Sequence, residues 1–183
     1  MKERAPIFFF APFVSSTMEV SPAWIDYNGH MNVAFFHELF DRALEEAMGL
    51  LGLGQEYRNE RQGSFFVAES HTLYQRELQA HDPVRVTVQL LAFDEKRLHF
   101  YMELRHAREG WIAATTEILG LHMNMDARTV APFPEDVQAN IAVMKSSHTR
   151  LEKPAALGKV MGIPAKSPDR ALREPPSAAG TRH

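Results

Sequence analysis

Seven consecutive residues, Asp26-Tyr27-Asn28-Gly29-His30-Met31-Asn32, bring a carboxylate, two carboxamides and an imidazole together around one glycine. A carboxylate can take a proton or attack an electrophilic carbon, and an imidazole can share a proton near neutral pH. Glycine lets the backbone approach a substrate closely. The run directly precedes an apolar-periodic segment, so it borders a predicted helix start, whose unpaired N–H groups and dipole favour an anion or a polarised carbonyl oxygen. A second pair, Glu69 and His71, lies in a β-favouring run where alternation puts both on one face. A carboxylate and an imidazole aimed into one cleft are costly unless paired, so they read either as a second acid–base pair facing a partner's loop or as a satisfied interface pair. The chain has no cysteine, which excludes thiolate nucleophiles, disulfides and Cys-based zinc sites. His99, His106 and His122 stand singly on predicted strands with no second ligand at metal spacing, so they read as core or surface residues and no metal site is expected.

The elements that must position these residues follow from periodicity. Phe36, Leu39, Phe40, Ala43, Leu44, Ala47, Met48 and Leu51 recur at three- and four-residue steps, with charged residues between them. They predict one helix over 32–51, capped by Asn32 and ended by Gly49, Gly52 and Gly54. Residues 13–24 read as a first strand leading into the polar loop, and 52–63 as a connection with room for a short helical turn. From Ser64 the period changes, giving four successive strands separated by turns at 81–83, 94–96 and 108–110. A short helix is expected over 135–144. The order of one strand, a long helix and then a four-strand meander is that of an α+β fold, an antiparallel sheet of about five strands on one long central helix. One helix covers one sheet face, and the sheet's edges call for a partner, so self-association is expected.

Composition sets the bounds. At 183 residues and 45% apolar content the chain suits a single domain. Its apolar runs are too short to span a bilayer, the start carries no credible cleavage site, and the absence of cysteine fits the cytoplasm. A net charge of −3 gives no reason to expect nucleic-acid binding. From Lys145 onward eight Lys or Arg face three Asp or Glu, leaving the preceding part at −8. The chain therefore divides into a domain over 1–144 and a basic, Pro- and Ala-rich tail over 145–183, in which 157–163 has a docking composition and 164–183 a disordered one.

A strand, the loop Asp26-x-Asn28-Gly29-His30-x-Asn32, a long helix and a strand meander together resemble the hotdog fold, in its 4-hydroxybenzoyl-CoA thioesterase-like branch. The segments 24–32, Val67-x-Glu69-x-His71, Lys96-Arg97-Leu98-His99 and Ala114-Thr115-Thr116-Glu117 resemble the betainyl-CoA thioesterases of carnitine degradation. The resemblance runs from about Phe13 to Ile141. It implies an acyl-CoA thioesterase that works as a homodimer or homotetramer, with no cofactor beyond the coenzyme A of its substrate and no membrane or nucleic-acid partner. Asp26 falls at the catalytic carboxylate of the family's Asp-x-x-Gly loop, and Asn28 and His30 match the Asp-x-Asn-x-His pattern of related plant acyl-carrier-protein thioesterases.

Under that resemblance Asp26 is the base or nucleophile, with Asn28 and His30 as polarising or proton-handling groups and the backbone near Gly29 and His30 as oxyanion donor. Trp24 and Tyr27, with Glu69, are candidates to surround a quaternary ammonium acyl group, and His71 joins Glu69 on the substrate-binding side. Arg97, Lys96, Arg128 and Lys159 are the candidates for the CoA phosphates, with nothing in the sequence to choose among them. Two other readings stay open, a hydratase or dehydratase on the same fold and a non-catalytic acyl-binding module.

Overall fold

A computed structural model describes residues 9–163 of the chain. The expectation of disorder over 164–183 concerns residues outside that range. The predicted long helix is α1 (Val33–Leu51), and the eight apolar residues of its stripe are all buried. Asn32 caps it, its side-chain oxygen accepting the N–H of Ala34 at 3.0 Å, and Gly52 ends it in the left-handed region at φ 83°. The stripe meets two strands whose inward residues are sealed from solvent: Val84, Val86, Val88 and Leu90 of β4 (Pro83–Phe93), and Leu98, Phe100, Met102 and Leu104 of β5 (Arg97–His106). Each such side chain contributes about 1.5–3 kcal/mol by leaving water, so this helix–sheet contact is the fold's main source of stability.

The remaining elements are β1 (Phe13–Val14), β2 (Met18–Glu19), α2 (Gln55–Arg61), β3 (Gly63–Tyr74), β6 (Ile112–Asn124), β7 (Thr129–Val130) and α3 (Glu135–His148). All strands join one antiparallel sheet in the order β1-β4-β5-β6-β3, with β2 also on β4 and β7 on β6. No helix among the described residues is long and apolar enough to cross a membrane.

Three sequence expectations are corrected. The first strand over 13–24 is two short pieces followed by a 3-10 turn at Pro22–Trp24. Between the pieces, the Ser15 hydroxyl accepts the N–H of Val86 at 3.0 Å, and Ser16 donates its N–H to Glu46 at 2.8 Å, so side chains replace part of the ladder. The four long strands are not a sequential meander. Only β4, β5 and β6 are, while β3 pairs with β6 at the far edge, and residues 75–82 carry the chain back across to β4. That crossover buries Leu78 completely, and burying this anchor favours it over a hairpin turn. Finally, the last helix runs to His148 rather than ending at 144. His148 is 2% exposed, accepts the N–H of Leu90 on its Nδ1 at 2.9 Å and donates Nε2–H to the carbonyl of Phe10 at 3.1 Å. Residues past it reach the sheet as well, Gln89 donating to the carbonyl of Glu152 at 3.3 Å.

His148 must be neutral to accept from Leu90, and burial pushes its pKa below the ordinary value of 6.5. A histidine lowered on folding contributes stability that is present above its unfolded pKa, about 6.5, and lost as pH falls through the lower folded value. Urea unfolding of His148→Ala at about pH 7.5 should therefore show a loss of about 1–3 kcal/mol, the cost of an orphaned buried N–H. At about pH 5 the gap to the wild type should narrow. A gap that is independent of pH would show that the histidine's charge state is not involved.

Candidate active site

The polar loop is held shut by its own backbone. Ile25 and Met31 form an isolated antiparallel bridge, Asp26 N–H donates to the His30 carbonyl at 3.1 Å, and Gly29 N–H donates to the Asp26 carbonyl at 3.0 Å. Asp26 Oδ1 accepts the N–H of Asn28 at 2.8 Å, an Asx turn that orients the carboxylate and leaves Oδ2 without a hydrogen bond among the described residues. Gly29 sits at φ 86°, where a side chain would strain the backbone although a Cβ there would meet no atom. The loop is fastened to its surroundings at two points: Asn32 N–H to the Trp24 carbonyl at 2.9 Å, and Met31 N–H to the Leu78 carbonyl of the crossover at 2.7 Å.

Asp26 and His30 open onto a cleft of about 390 Å³ between this loop, the first turn of α1 and the end of β3. Its wall includes Val33, Phe36, Tyr74 and Glu77. The Tyr74 ring meets Phe36 edge-on at 5.1 Å, its hydroxyl lies 3.2 Å from His37 Nε2, and desolvation raises its pKa. His30 Nε2 is 3.8 Å from Glu77 Oε1, close enough for an ion pair when the ring is protonated. Carboxylate and imidazole thus share one partly apolar cleft at a helix start, an arrangement suited to activating water or attacking a carbonyl carbon.

The other sequence candidates lie elsewhere within the chain. Trp24 stacks on Phe35 at 5.1 Å, with the Arg42 guanidinium 5.5 Å from its centroid, so its ring has neighbours outside the cleft. Tyr27 is 97% exposed, and Asn28 and Gly29 are exposed beside it. Arg97 pairs with Asp94 in the β4–β5 turn, Nε to Oδ2 at 2.6 Å, and Lys96 with Glu95 at 3.5 Å.

Glu69 and His71 do share a face, but it is the one turned away from α1. A register shift between Val67 and Glu69 makes Ala68 a β-bulge. Before it Phe65 packs over Gly120 toward Phe100, and Val67 borders a groove with Phe40 and Leu44 of α1; after it Glu69 and His71 point outward. There they join His99 and Glu117 around a separate pocket of about 560 Å³. His99 Nε2 lies 2.7 Å from Glu117 Oε1, and Gly158 N–H donates to Glu117 Oε2 at 2.8 Å. Burial alone would raise the Glu117 carboxyl, but these two hydrogen bonds and the nearby imidazoles hold it below its ordinary value. No group of three such side chains is placed to hold a metal ion among the described residues.

His99 and Glu117 are the members of that cluster that reading strand by strand misses. The available signal was cross-strand register: His71 stands opposite Glu117 and Tyr101 opposite Glu117 on its other side, which brings His99 within reach.

An antiparallel sheet wrapped on one long helix, with an acid–imidazole loop opening at the helix start, is the architecture of the hotdog-fold thioester hydrolases. Residues 20–141 match the thioesterase-like superfamily, and the chain belongs to it. It is 34% identical over 145 residues to the betainyl-CoA thioesterase of Pseudomonas aeruginosa, covering 79% of this chain and 91% of that one. It is 31% identical to part of the L-carnitine dehydrogenase/betainyl-CoA thioesterase of Rhizobium meliloti, covering 79% of this chain and 29% of that longer protein. Among solved structures, a Staphylococcus aureus protein in complex with CoA superposes with a TM-score of 0.79 at 29% identity, over 88% of this chain and all of that one. A putative thioesterase of Pseudomonas putida gives 0.74 at 28% identity, over 85% of this chain and 99% of that one.

The helix cap gives a test of how the cleft is built. Replacing Asn32 with Ala removes the acceptor for Ala34 N–H, and thermal unfolding should show a loss of about 0.5–2 kcal/mol, largely restored in Asn32→Asp. If Asn32→Ala melts like the wild type, the first turn of α1 is held by something other than its cap.

Proposed function

We propose that the protein hydrolyses a small acyl-CoA to the free acid and CoA, with betainyl-CoA, giving glycine betaine, as its substrate. The observation that carries the hydrolysis is the Asp26 carboxylate, oriented by its Asx turn and opening with His30 onto the cleft at the start of α1. In one route Asp26 takes a proton from water as the oxygen attacks the thioester carbon; in the other the carboxylate attacks first and water then opens the mixed anhydride. Either way the tetrahedral oxyanion collapses by expelling the CoA thiolate, a good enough leaving group to depart without a strong acid. His30 handles the proton, and Asn28 and Gly29 shape the loop. No cofactor is required beyond the coenzyme A of the substrate.

The betainyl reading is supported by the relatives in Pseudomonas and Rhizobium and by the cleft wall, where the Tyr74 ring stands near the Asp26 and Glu77 carboxylates. Aromatic faces and carboxylates both attract a quaternary ammonium. Trp24, Tyr27, Glu69, His71 and Arg97 lie outside that cleft within one chain, so their proposed contacts with substrate depend on a second subunit.

Self-association is supported by the outer edge of β3, a twelve-residue strand that pairs only with β6 among the described residues and has Phe66, Val67 and Tyr74 each about half exposed. The working unit we infer is a cytoplasmic homodimer or homotetramer joined there, with each Asp26 loop meeting the neighbour's β3.

Thiol release from a panel of acyl-CoAs is the test. Asp26→Asn keeps an Asx-turn acceptor, so it should fold normally and lose at least about a hundredfold in kcat; a variant keeping half of the wild-type turnover would remove Asp26 from the chemistry. Tyr74→Ala should raise KM for betainyl-CoA severalfold more than KM for acetyl-CoA. Equal increases for both would leave the ring without a role in selecting the cation.

A further inference from the structure

Among the described residues the cleft of Asp26 has one Lys or Arg on its wall, Arg76, which the reading above leaves unused. Arg42, Arg61, Arg97 and Arg105 each pair with a carboxylate. Arg76 makes no ion pair or side-chain hydrogen bond among the described residues; its guanidinium lies over the ring of Trp111, 4.0 Å from the centroid. Trp111 is fixed in turn, stacked on His106 at 5.0 Å and donating its indole N–H to Glu109 at 2.7 Å. The backbone of Arg76 is also tied down, its N–H donating to the Ala113 carbonyl at 3.0 Å.

Of the carboxylates that border these spaces Asp26 is the reacting group, and the other three have partners of their own. Glu109 holds the indole, Asp82 accepts the N–H of Gln79 at 2.9 Å and faces His106 at 3.9 Å, and Glu77 stands 3.8 Å from His30. A guanidinium held over an aromatic ring still has N–H groups at its edge for other partners, and that edge matches phosphate oxygens. Arg76 also borders a second pocket, of about 490 Å³, between the crossover and the hairpin tip at Trp111, so it stands where the Asp26 cleft continues onto the surface.

We propose that Arg76, presented by Trp111, binds a phosphate of coenzyme A and so sets which way the thioester lies in the cleft. The phosphate contact draws the nucleotide end to Arg76 and leaves the thioester end for the Asp26 side of the cleft. This rests on the acyl-CoA reading but not on the identity of the acyl group. It places a phosphate contact on the crossover within one chain, where the guanidinium of Arg97 is paired with Asp94.

Calorimetric binding of CoA to wild type, Arg76→Gln and Arg76→Lys, alongside kinetics with an acyl-CoA and with the matching N-acetylcysteamine thioester, tests it. Arg76→Gln should weaken CoA about tenfold or more, and Arg76→Lys should fall between, because lysine keeps the charge but not the planar fork of donors. The preference in kcat/KM for the CoA ester over the phosphate-free ester should shrink by a similar factor. With dephospho-CoA, a penalty that disappears assigns the contact to the 3′-phosphate, and one that persists assigns it to the pyrophosphate. CoA affinity within twofold of wild type in Arg76→Gln, or equal losses on both thioesters, would overturn the proposal. Arg76-dependent CoA binding by a wild type that releases no thiol from any acyl-CoA would uphold the phosphate contact and sink the hydrolysis reading.

Discussion

The 2.7 Å hydrogen bond from Met31 to the Leu78 carbonyl links the three parts that make a site of this fold. Met31 ends the polar loop one residue before the cap of α1, and Leu78 is the buried anchor of the crossover that returns the chain from β3 to β4. Both side chains are almost wholly removed from water, so the bond is made in apolar surroundings, where an unpaired amide or carbonyl would be costly. The loop cannot swing away from the helix without exposing Met31, and the crossover cannot lift without exposing Leu78. The same tie brings Asp26 and His30 from one side of the helix start together with Tyr74, Arg76 and Glu77 from the other. Their convergence follows from core packing rather than from attraction among the polar groups.

The bulge at Ala68 makes the second decision. Strand side chains alternate with a period of two, so one extra residue turns everything after it to the opposite face. Phe65 and Val67 face the core, and so do Thr72 and Tyr74 beyond the bulge, Thr72 bonding Thr116 at 2.9 Å and Tyr74 reaching Phe36. Glu69 and His71 are thereby sent to the outer surface, where Glu117 is paired by His99 and by the N–H of Gly158. The polar chemistry of one chain is thus split into a cleft beside the helix and a hydrogen-bonded cluster behind the sheet, connected through the same strand. In that cluster both oxygens of Glu117 are taken, one of them fastening Gly158 to the sheet.

The sequence showed α1 almost to the residue, because eight apolar side chains at helical spacing, an Asn cap and terminal glycines all agree. The polar loop was legible for the same reason, lying directly against that cap. The bulge was not legible: Val67, Glu69 and His71 alternate cleanly as letters, and only pairing with Gly120 and Leu119 of β6 reveals the extra residue. The crossover was hidden because Asp82-Pro83 reads locally as a turn, while the placement of β3 beyond β6 is a long-range choice that no local propensity records. Arg76 was missed with it, since its meaning comes from Trp111, thirty-five residues further on.

Gly29 shows what the backbone adds to the letters of a motif. As a letter in an Asp-x-x-Gly loop it suggests an open backbone donor beside the substrate, yet its N–H is occupied by the Asp26 carbonyl at 3.0 Å. Its contribution is shape: a left-handed residue lets the chain reverse so that Asp26 and His30 flank one opening and the Asx turn holds the carboxylate before any substrate arrives. A site ordered in advance loses less conformational entropy on binding and reorganises less during reaction. Beside the His30 N–H, the neighbouring helix start adds a candidate oxyanion donor, for Val33 borders the cleft and, as the first helical residue, has no carbonyl one turn back within the helix. In the proposed hydrolysis loop and helix divide the work, the loop presenting the carboxylate and the helix start offering the positive field.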